Sequence, residues 1–574
     1  MNLGINNKHF QSFHIPTPLN RKELSFCESN VDAFRLWTTS LSARPLGDRS
    51  AAIFTALHEL SSLICTETER FDMLQELHPF IEHVLSNIEK NFITANSPQA
   101  ERQTQLVDLD IQMRMSLIQL YIDIAFRCNK STQNPWQFWR HNENHNIKVN
   151  RILSCYYALQ HMGYLLLQQQ LNYLDVLINQ WRYTHEIYQY AFKNNEHLIN
   201  INRIQGSRYA FSNIQECYIQ ILLLDICYTY QIRPNEIQAL YECGTEWIHL
   251  IELSHRNHAT SRYMIDSQQD LPPIFNHKQQ QFFLADHYLS THNLLEHINN
   301  TIQNNAKNLT DKEKKYLSTS LKFHIQNVLG TTSIERRYPR YQHSAELEIS
   351  LGLETAHFLL SHPHYHSDHI ESQQTNPNMC NLFLITHDPS LEINSPISPQ
   401  LNKELKQIYT AQVLDMSSHG YRIQWDSVLP QNLQNSELII LREKNDINWK
   451  VGIIRWMKKS YQNNFAIGLE VLSDHVFACN VRLPRQTLEH PPMAGLLFAH
   501  TYTGRIQLSI VLPNFTHLNK IDSFHLELHE LKIQLLRKKT LMVTQSFIQF
   551  EIQTQNIRQL PILRELLDRL MAQL

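Results

Sequence analysis

The chain has 574 residues, and at roughly 100 to 200 residues per domain this length predicts about three to five folded units. Apolar residues make up 42% and charged residues 18%, a composition typical of globular rather than disordered proteins. The net charge is only -3, so the chain as a whole has no strong attraction for nucleic acid or anionic lipid, and any anion site must be local.

Glycine and cysteine usage exclude several further classes. None of the 12 glycines is adjacent to another, which leaves no place for a P-loop or a GxGxxG turn. The nine cysteines are scattered without a CxxC pair, so we predict reduced, structural thiols. The first residues lack the pattern of a signal peptide, and no stretch reaches the ~18 apolar residues of a membrane helix. We therefore expect a cytoplasmic protein without a membrane span.

Residues 1–329 are predicted to form an all-α domain, either a bundle or a solenoid-like stack. From about Ser50 to Leu329, apolar side chains recur every three or four residues with little glycine or proline. Ser261–Phe275 breaks this pattern and indicates an extended excursion. Histidines in this region, such as His78, look isolated and are not predicted to be ligands.

Residues 330–475 are predicted to form a small antiparallel β domain. Short runs rich in β-branched and aromatic residues alternate with turn-forming residues, beginning with Glu346–Leu353. A segment at about 361–407, rich in His, Asn, Ser and Pro, indicates a long loop insertion.

Residues 476–574 are predicted to form a second small β unit with a C-terminal helix. Runs such as Arg505–Leu512 and Phe547–Gln553 alternate in polarity, and the final segment after Pro561 has one apolar stripe. The fold class is therefore multidomain α + β.

Two short motifs carry the chemistry of the first β domain. Arg336-x-x-x-Arg340 stands just before its first strand, and Asp415-x-Ser417-x-x-Gly420 stands at a strand turn. This ordered pair, followed by the strand-like runs WKVGIIRW and IGLE, resembles the PilZ domain family. The resemblance covers about one quarter of the chain and implies a PilZ-like antiparallel β-barrel.

PilZ domains are receptors for cyclic di-GMP, so the resemblance implies that dinucleotide as the ligand. Arg336, Arg337 and Arg340 offer planar guanidinium groups that can bond phosphate or guanine and stack on bases. Asp415 is expected to accept hydrogen bonds from the guanine edge, with Ser417 as a second polar group. Gly420, the last residue of the second motif, is expected to allow a tight turn and a close backbone approach.

One departure from the family is the spacing of the motifs. Asp415 lies 415 − 336 = 79 positions after Arg336, and the excess is the His- and Asn-rich insertion. The chain has no GGDEF or EAL signature, so we predict that it reads the messenger and is not an enzyme.

The insertion contains a competing pattern, HxHxDH, which is similar to the metal-binding signature of the metallo-β-lactamase superfamily. Its candidate zinc ligands are His364, His366, Asp368 and His369. The strand-rich upstream segment, Gly-rich turns and later His and Asp set of that superfamily are missing, so a catalytic metal is not favoured.

The sequence thus predicts a bacterial cytoplasmic receptor that binds cyclic di-GMP and signals by interdomain rearrangement. The helical domain is expected to contact a protein partner, and no cofactor, metal or nucleic acid is predicted. A ligand-independent scaffold with a degenerate barrel is the main alternative, and a metallohydrolase is the third.

Overall fold

A computed structural model gives the arrangement of most of the chain. The residues it describes are 13, 17–90, 100–132, 141–206, 209–276, 283–303, 309–331, 339–362, 407–425, 429–430, 432–444, 446–459, 464–473, 475–484, 492–502, 505–515, 518, 521–556 and 558–573. They divide into two compact units, Met1–Glu335 and Arg336–Leu574.

The first unit is helical, as predicted, around one large apolar core. Helices α1 to α12 are Val31–Leu41, Leu46–Ser62, Glu67–Ile88, Ala100–Thr132, His141–Leu171, Gln180–Lys193, Ile201–Gln205, Ile214–Ile226, Pro234–Trp247, His292–Gln303, Asp311–Tyr316 and Thr319–Gly330. Helix α3 begins with a capping box in which Thr66 and Glu69 satisfy each other's backbone N–H groups. Helices α3 and α5 pack against each other, which brings their inner faces together.

A small antiparallel sheet accompanies these helices. Its strands β1 to β4 are Glu252–Ser254, Tyr263–Ile265, Ile274–Phe275 and His287–Ser290, in the order β1-β4-β2-β3. Two of them lie in Ser261–Phe275, where the sequence indicated only an extended excursion. Strands of two to four residues are too short to show an alternating period, so the sheet itself could not be predicted.

The second unit begins with a closed, six-stranded antiparallel barrel. Its strands β5 to β10 are Glu346–Leu351, Tyr409–Ser417, Gly420–Trp425, Leu438–Glu443, Lys450–Lys459 and Phe465–Ser473. The order around the barrel is β10-β7-β6-β5-β8-β9, and β9 closes it by pairing with β10. Alternate residues of β6 and β7, such as Val413 and Ile423, fill the interior.

A second closed barrel of six strands follows. Its strands β11 to β16 are Val476–Arg482, Met493–Tyr502, Arg505–Pro513, Ser523–Leu528, Leu531–Val543 and Phe547–Thr554. The order is β11-β12-β13-β16-β15-β14, and β11 pairs with β14 to close the ring. The terminal helix, Gln559–Gln573, buries Leu563 and Leu567 of the predicted apolar stripe.

A short helix joins the cores of the two barrels. Helix α13, Leu353–Ser361, contacts β8 of the first barrel and β11 and β12 of the second. Its buried Ala356 and Leu359 belong to one apolar cluster with Leu438 of the first barrel and Phe498 of the second. Strand β8 is therefore buried on both faces, which explains its unbroken apolar run. The sequence analysis ended a strand at Leu353 and began the insertion at about 361 without predicting a helix between them, because a helix of nine residues is too short to establish its period.

Two smaller findings bear on the predictions. Within the described ranges, no helix combines the length and apolar character needed to cross a membrane. The eight described cysteines are all free thiols, and Cys380 lies outside the described residues.

Candidate functional site

The first barrel holds the segment that carries the arginine motif against the strand that carries the aspartate motif. Tyr341 forms an isolated antiparallel bridge with Met416 of β6. The Tyr341 N–H donates to the Met416 carbonyl at 2.8 Å, and the Met416 N–H donates to the Tyr341 carbonyl at 3.0 Å. This pair of main-chain hydrogen bonds fixes the register of the two motifs, so Arg340 and Asp415 become neighbours.

Asp415 lies between two guanidinium groups. Arg340 forms an ion pair with one of its carboxylate oxygens through Nη1. On the other side, Arg422 Nη1 lies 3.5 Å from Asp415 Oδ2. All three side chains remain in contact with solvent, at 32% exposure for Arg340, 19% for Asp415 and 45% for Arg422. The group is therefore accessible to a ligand.

A β-bulge sets the position of Asp415. The register of β6 against β7 shifts between Val413 and Asp415, so that Val413 lies opposite Ile423 and Asp415 lies opposite Arg422. The extra residue, Leu414, is 38% exposed. Bulges of this kind redirect a side chain at the rim of a barrel, and here the bulge places Asp415 beside Arg422.

The end of the aspartate motif is a tight hairpin. Ser417 pairs with Gly420 across the turn, and its hydroxyl donates to the Gly420 carbonyl at 3.4 Å. A Cβ at Gly420 would lie 2.2 Å from the carbonyl oxygen of Leu469 in β10. Glycine is therefore required here by the close approach of two strands.

The structure describes four of the six predicted ligand residues and brings them to one end of one hairpin. These four are Arg340, Asp415, Ser417 and Gly420. Arg336 and Arg337 lie outside the described residues, as do His364, His366, Asp368 and His369 of the HxHxDH pattern.

Sequence reasoning missed Arg422. The sequence shows that Arg422 lies two residues after the second motif. Its pairing with Asp415 could not be predicted, because the pairing depends on the bulge. The site it completes has two described cations around one carboxylate, and it is chemically suited to an anion with hydrogen-bond donors and flat aromatic faces.

A closed antiparallel barrel, whose DxSxxG hairpin is bridged to an arginine-bearing segment, is the arrangement expected of a PilZ domain. Residues 263–389 and 386–477 match the family model described as "Cyclic-di-GMP receptor FimW, middle PilZ domain". Residues 32–259 match the model described as "Cyclic-di-GMP receptor FimW, N-terminal domain". The second unit thus contains a PilZ domain, as the motifs predicted, and the two models together match most of the chain.

A curated relative extends the similarity over nearly the whole length. The chain is 21% identical to the cyclic-di-GMP receptor FimW of Pseudomonas aeruginosa over 579 aligned positions. The alignment covers 94% of this chain and 93% of the relative. No solved structure gives a significant match.

Proposed function

We propose that this protein is a cyclic di-GMP receptor whose ligand binds at the Arg340–Asp415–Arg422 cluster. The main-chain bridge between Tyr341 and Met416 carries the proposal, because it holds the arginine segment on the aspartate strand before any ligand arrives. A preorganised pair loses less conformational entropy on binding than two mobile segments would. The match to receptor family models and the similarity to FimW support the same ligand.

Each described side chain has a defined task in this proposal. Arg340 contributes a guanidinium fork to a phosphate oxygen or to guanine O6 and N7, and Asp415 accepts from the guanine N1–H and amino group. Arg422 adds a second cation next to Asp415. Arg336 and Arg337 are proposed to complete the cationic segment around the two phosphates, as the family resemblance implies.

The ligand must compete with an existing ion pair. Arg340 and Asp415 already satisfy each other, and a partly exposed pair of this kind contributes at most about 1 kcal/mol. The two phosphates and two guanines of the ligand offer several charge-assisted hydrogen bonds. We expect these bonds to contribute more binding free energy than breaking the ion pair costs.

Calorimetric titration of the full-length protein with cyclic di-GMP tests the proposal. We expect saturable binding to the wild type. Arg340→Ala and Asp415→Ala should each weaken it about tenfold or more, since each removes contacts worth about 1 to 3 kcal/mol. Arg537→Ala is the matched control, because Arg537 also forms an ion pair with an aspartate, Asp522, but in the second barrel.

The outcomes separate the receptor from the scaffold. Binding that survives unchanged in both site variants would place the ligand elsewhere. No saturable signal from correctly folded wild type at millimolar ligand would overturn the receptor and favour a ligand-independent scaffold.

We also propose that ligand binding changes the arrangement of the two compact units. The boundary between them falls between Glu335 and Arg336, so the proposed ligand segment 336–340 directly follows the boundary. Ligand contacts to a segment at this boundary would favour some arrangements of the two units over others. The protein is then a signal reader and not an enzyme that turns the messenger over.

A further inference from the structure

The helical unit contains a cluster of three metal-ligating side chains. His78 and Glu82 are four residues apart on α3 and thus share one face, and His161 extends from α5 toward them. One ligand atom from each of the three residues lies within 4.8 Å of the other two. Two helices that are distant in sequence thus place two imidazoles and a carboxylate around one point.

His161 is the inner member of this cluster. It is 1% exposed, and neither of its ring nitrogens has a hydrogen-bond partner among the described residues. Its Nδ1 lies 3.7 Å from Glu82 Oε1, a buried oxygen that also lacks a described partner. Leaving a buried polar group unsatisfied costs about 1 to 3 kcal/mol. The two His161 nitrogens and the Glu82 oxygen therefore require an explanation. A bound cation would satisfy the Glu82 oxygen and one His161 nitrogen together.

The surroundings orient the imidazoles. His78 Nδ1 lies 2.7 Å from the Tyr121 hydroxyl, so in the site inferred below the ligand atom of His78 is Nε2. Tyr121 stacks on the His161 ring with an interplanar angle of 7° and a centroid distance of 6.2 Å. Metal-binding histidines in proteins commonly use one nitrogen for the metal and the other for a hydrogen bond of this kind.

The local charge permits a cation. Arg114 acts electrostatically on both Glu82 and His161, but its own charge is offset by Asp110 at 3.0 Å and Glu89 at 2.6 Å. Glu82 contributes a further carboxylate to the same region. The acidic groups therefore outnumber the basic one around the three ligand atoms.

We propose that His78, Glu82 and His161 bind a divalent transition-metal ion of the zinc class, which links α3 to α5. Two imidazoles and one carboxylate form a common three-residue zinc set, and it leaves one coordination position open. The Glu82 side chain is 44% exposed although its Oε1 atom is buried, so in this proposal the ion enters, and water completes the coordination, from the Glu82 side of the cluster. The site is independent of the proposed cyclic di-GMP site in the barrel.

Metal titration of the full-length chain tests the site, with Co²⁺ as the spectroscopic probe for Zn²⁺. The background protein carries His364→Ala, His366→Ala, Asp368→Ala and His369→Ala, so that the insertion cannot bind the ion. Glu82→Gln and His78→Gln are introduced separately into this background. His83→Gln is the matched control, because His83 is an exposed histidine on the same helix.

We expect one Co²⁺ per background chain, visible absorption typical of four-coordinate nitrogen and oxygen ligation, and a higher melting temperature with Zn²⁺. Glu82→Gln and His78→Gln should weaken binding at least about 100-fold, and Tyr121→Phe about 10- to 100-fold, while His83→Gln binds normally. Circular dichroism checks that each variant is folded. Absence of stoichiometric binding to the folded background protein, or equal binding by Glu82→Gln and His78→Gln, would overturn the site.

Discussion

At the scale of single residues, the aspartate motif is held by steric requirements as well as by hydrogen bonds. Gly420 faces the Leu469 carbonyl at a distance that no Cβ can occupy, and Asp415 reaches its partners only because Leu414 bulges out. The chemistry of the hairpin therefore depends on residues that do not themselves contact a ligand.

Gly420→Ala should destabilise the barrel unit by about 1 to 3 kcal/mol, because the added methyl forces β7 away from β10. Differential scanning calorimetry should show the transition of that unit at a lower temperature. Gly47→Ala is the control, since a Cβ at Gly47 meets nothing within 4 Å and lies within a helix. If Gly420→Ala melts like the wild type, the close approach to Leu469 is not tight in solution.

His185 is a second residue with a measurable consequence. It is fully buried, with Nδ1 2.7 Å from the Tyr218 hydroxyl and Nε2 2.8 Å from the Leu271 carbonyl oxygen. Burial lowers the pKa of His185 to about 4, against 6.5 in an unfolded chain. Between these values the unfolded state binds the proton more tightly, so stability falls as the pH falls.

Because the unfolded chain takes up the His185 proton first, the free energy of unfolding of the helical unit should fall by about 3 kcal/mol as the pH is lowered from 6.5 to 4. His185→Gln lacks this titration. The stability difference between wild type and variant, measured by urea unfolding at several pH values, should therefore shift against the wild type as the medium becomes more acidic. A difference that is constant with pH would show that His185 is not buried in its neutral form.

Sequence reasoning can single out residues that lie within one compact motif. Arg340 and Asp415 belong to such motifs, and their roles in ligand binding stay a prediction. Arg422 was missed, because its partnership with Asp415 depends on a strand register. His161 was missed for a similar reason, because only helix packing brings it to His78.

At the scale of elements, the insertion is flanked on both sides by elements that pack in the first barrel. It follows α13, which ends at Ser361, and precedes β6, which begins at Tyr409 and pairs with β5. Because these neighbours have their own hydrogen bonds and core contacts, we expect the fold not to require the residues between them.

Deletion of His364 to Pro396 should therefore leave the barrel folded and still able to bind cyclic di-GMP. A long surface loop adds only a slowly growing closure entropy, so its shortening changes stability little. Circular dichroism, thermal melting and calorimetry on the shortened full-length chain check this prediction. Loss of the folded barrel, or of a tightly bound stoichiometric zinc, would contradict our interpretation of the HxHxDH pattern.

The elements show the same limit of sequence reasoning. Long helices such as α5 and regular strands such as β13 were predicted from their periods, since enough residues repeat the pattern. Helix α13 has nine residues and the strands of the small sheet have two to four, which is too few to establish a period. Tertiary packing, and not local periodicity, determines them.

At the scale of the whole molecule, the proposed output is a change in the arrangement of the two units. Small-angle X-ray scattering of the wild type should show a shifted distance distribution when cyclic di-GMP just saturates it, and Arg340→Ala should respond much less at the same concentration. The proposed reason is that ligand contacts restrict the backbone of Arg336 to Arg340, which directly follows the boundary between the units. An unchanged profile from a saturated wild-type sample would favour a partner that reads the liganded barrel surface directly.

Helix α13 has a consequence for how this architecture can evolve. Its apolar residues share one cluster with residues of both barrels, so a chain that lost the second barrel would lose the packing of α13 against β11 and β12 and would expose part of this cluster to water. Gene rearrangements that cut between Ser473 and Val476 would thus yield an aggregation-prone remnant. We expect the two barrels to be inherited as a pair, while the segment after α13 is free to lengthen or shorten in different lineages.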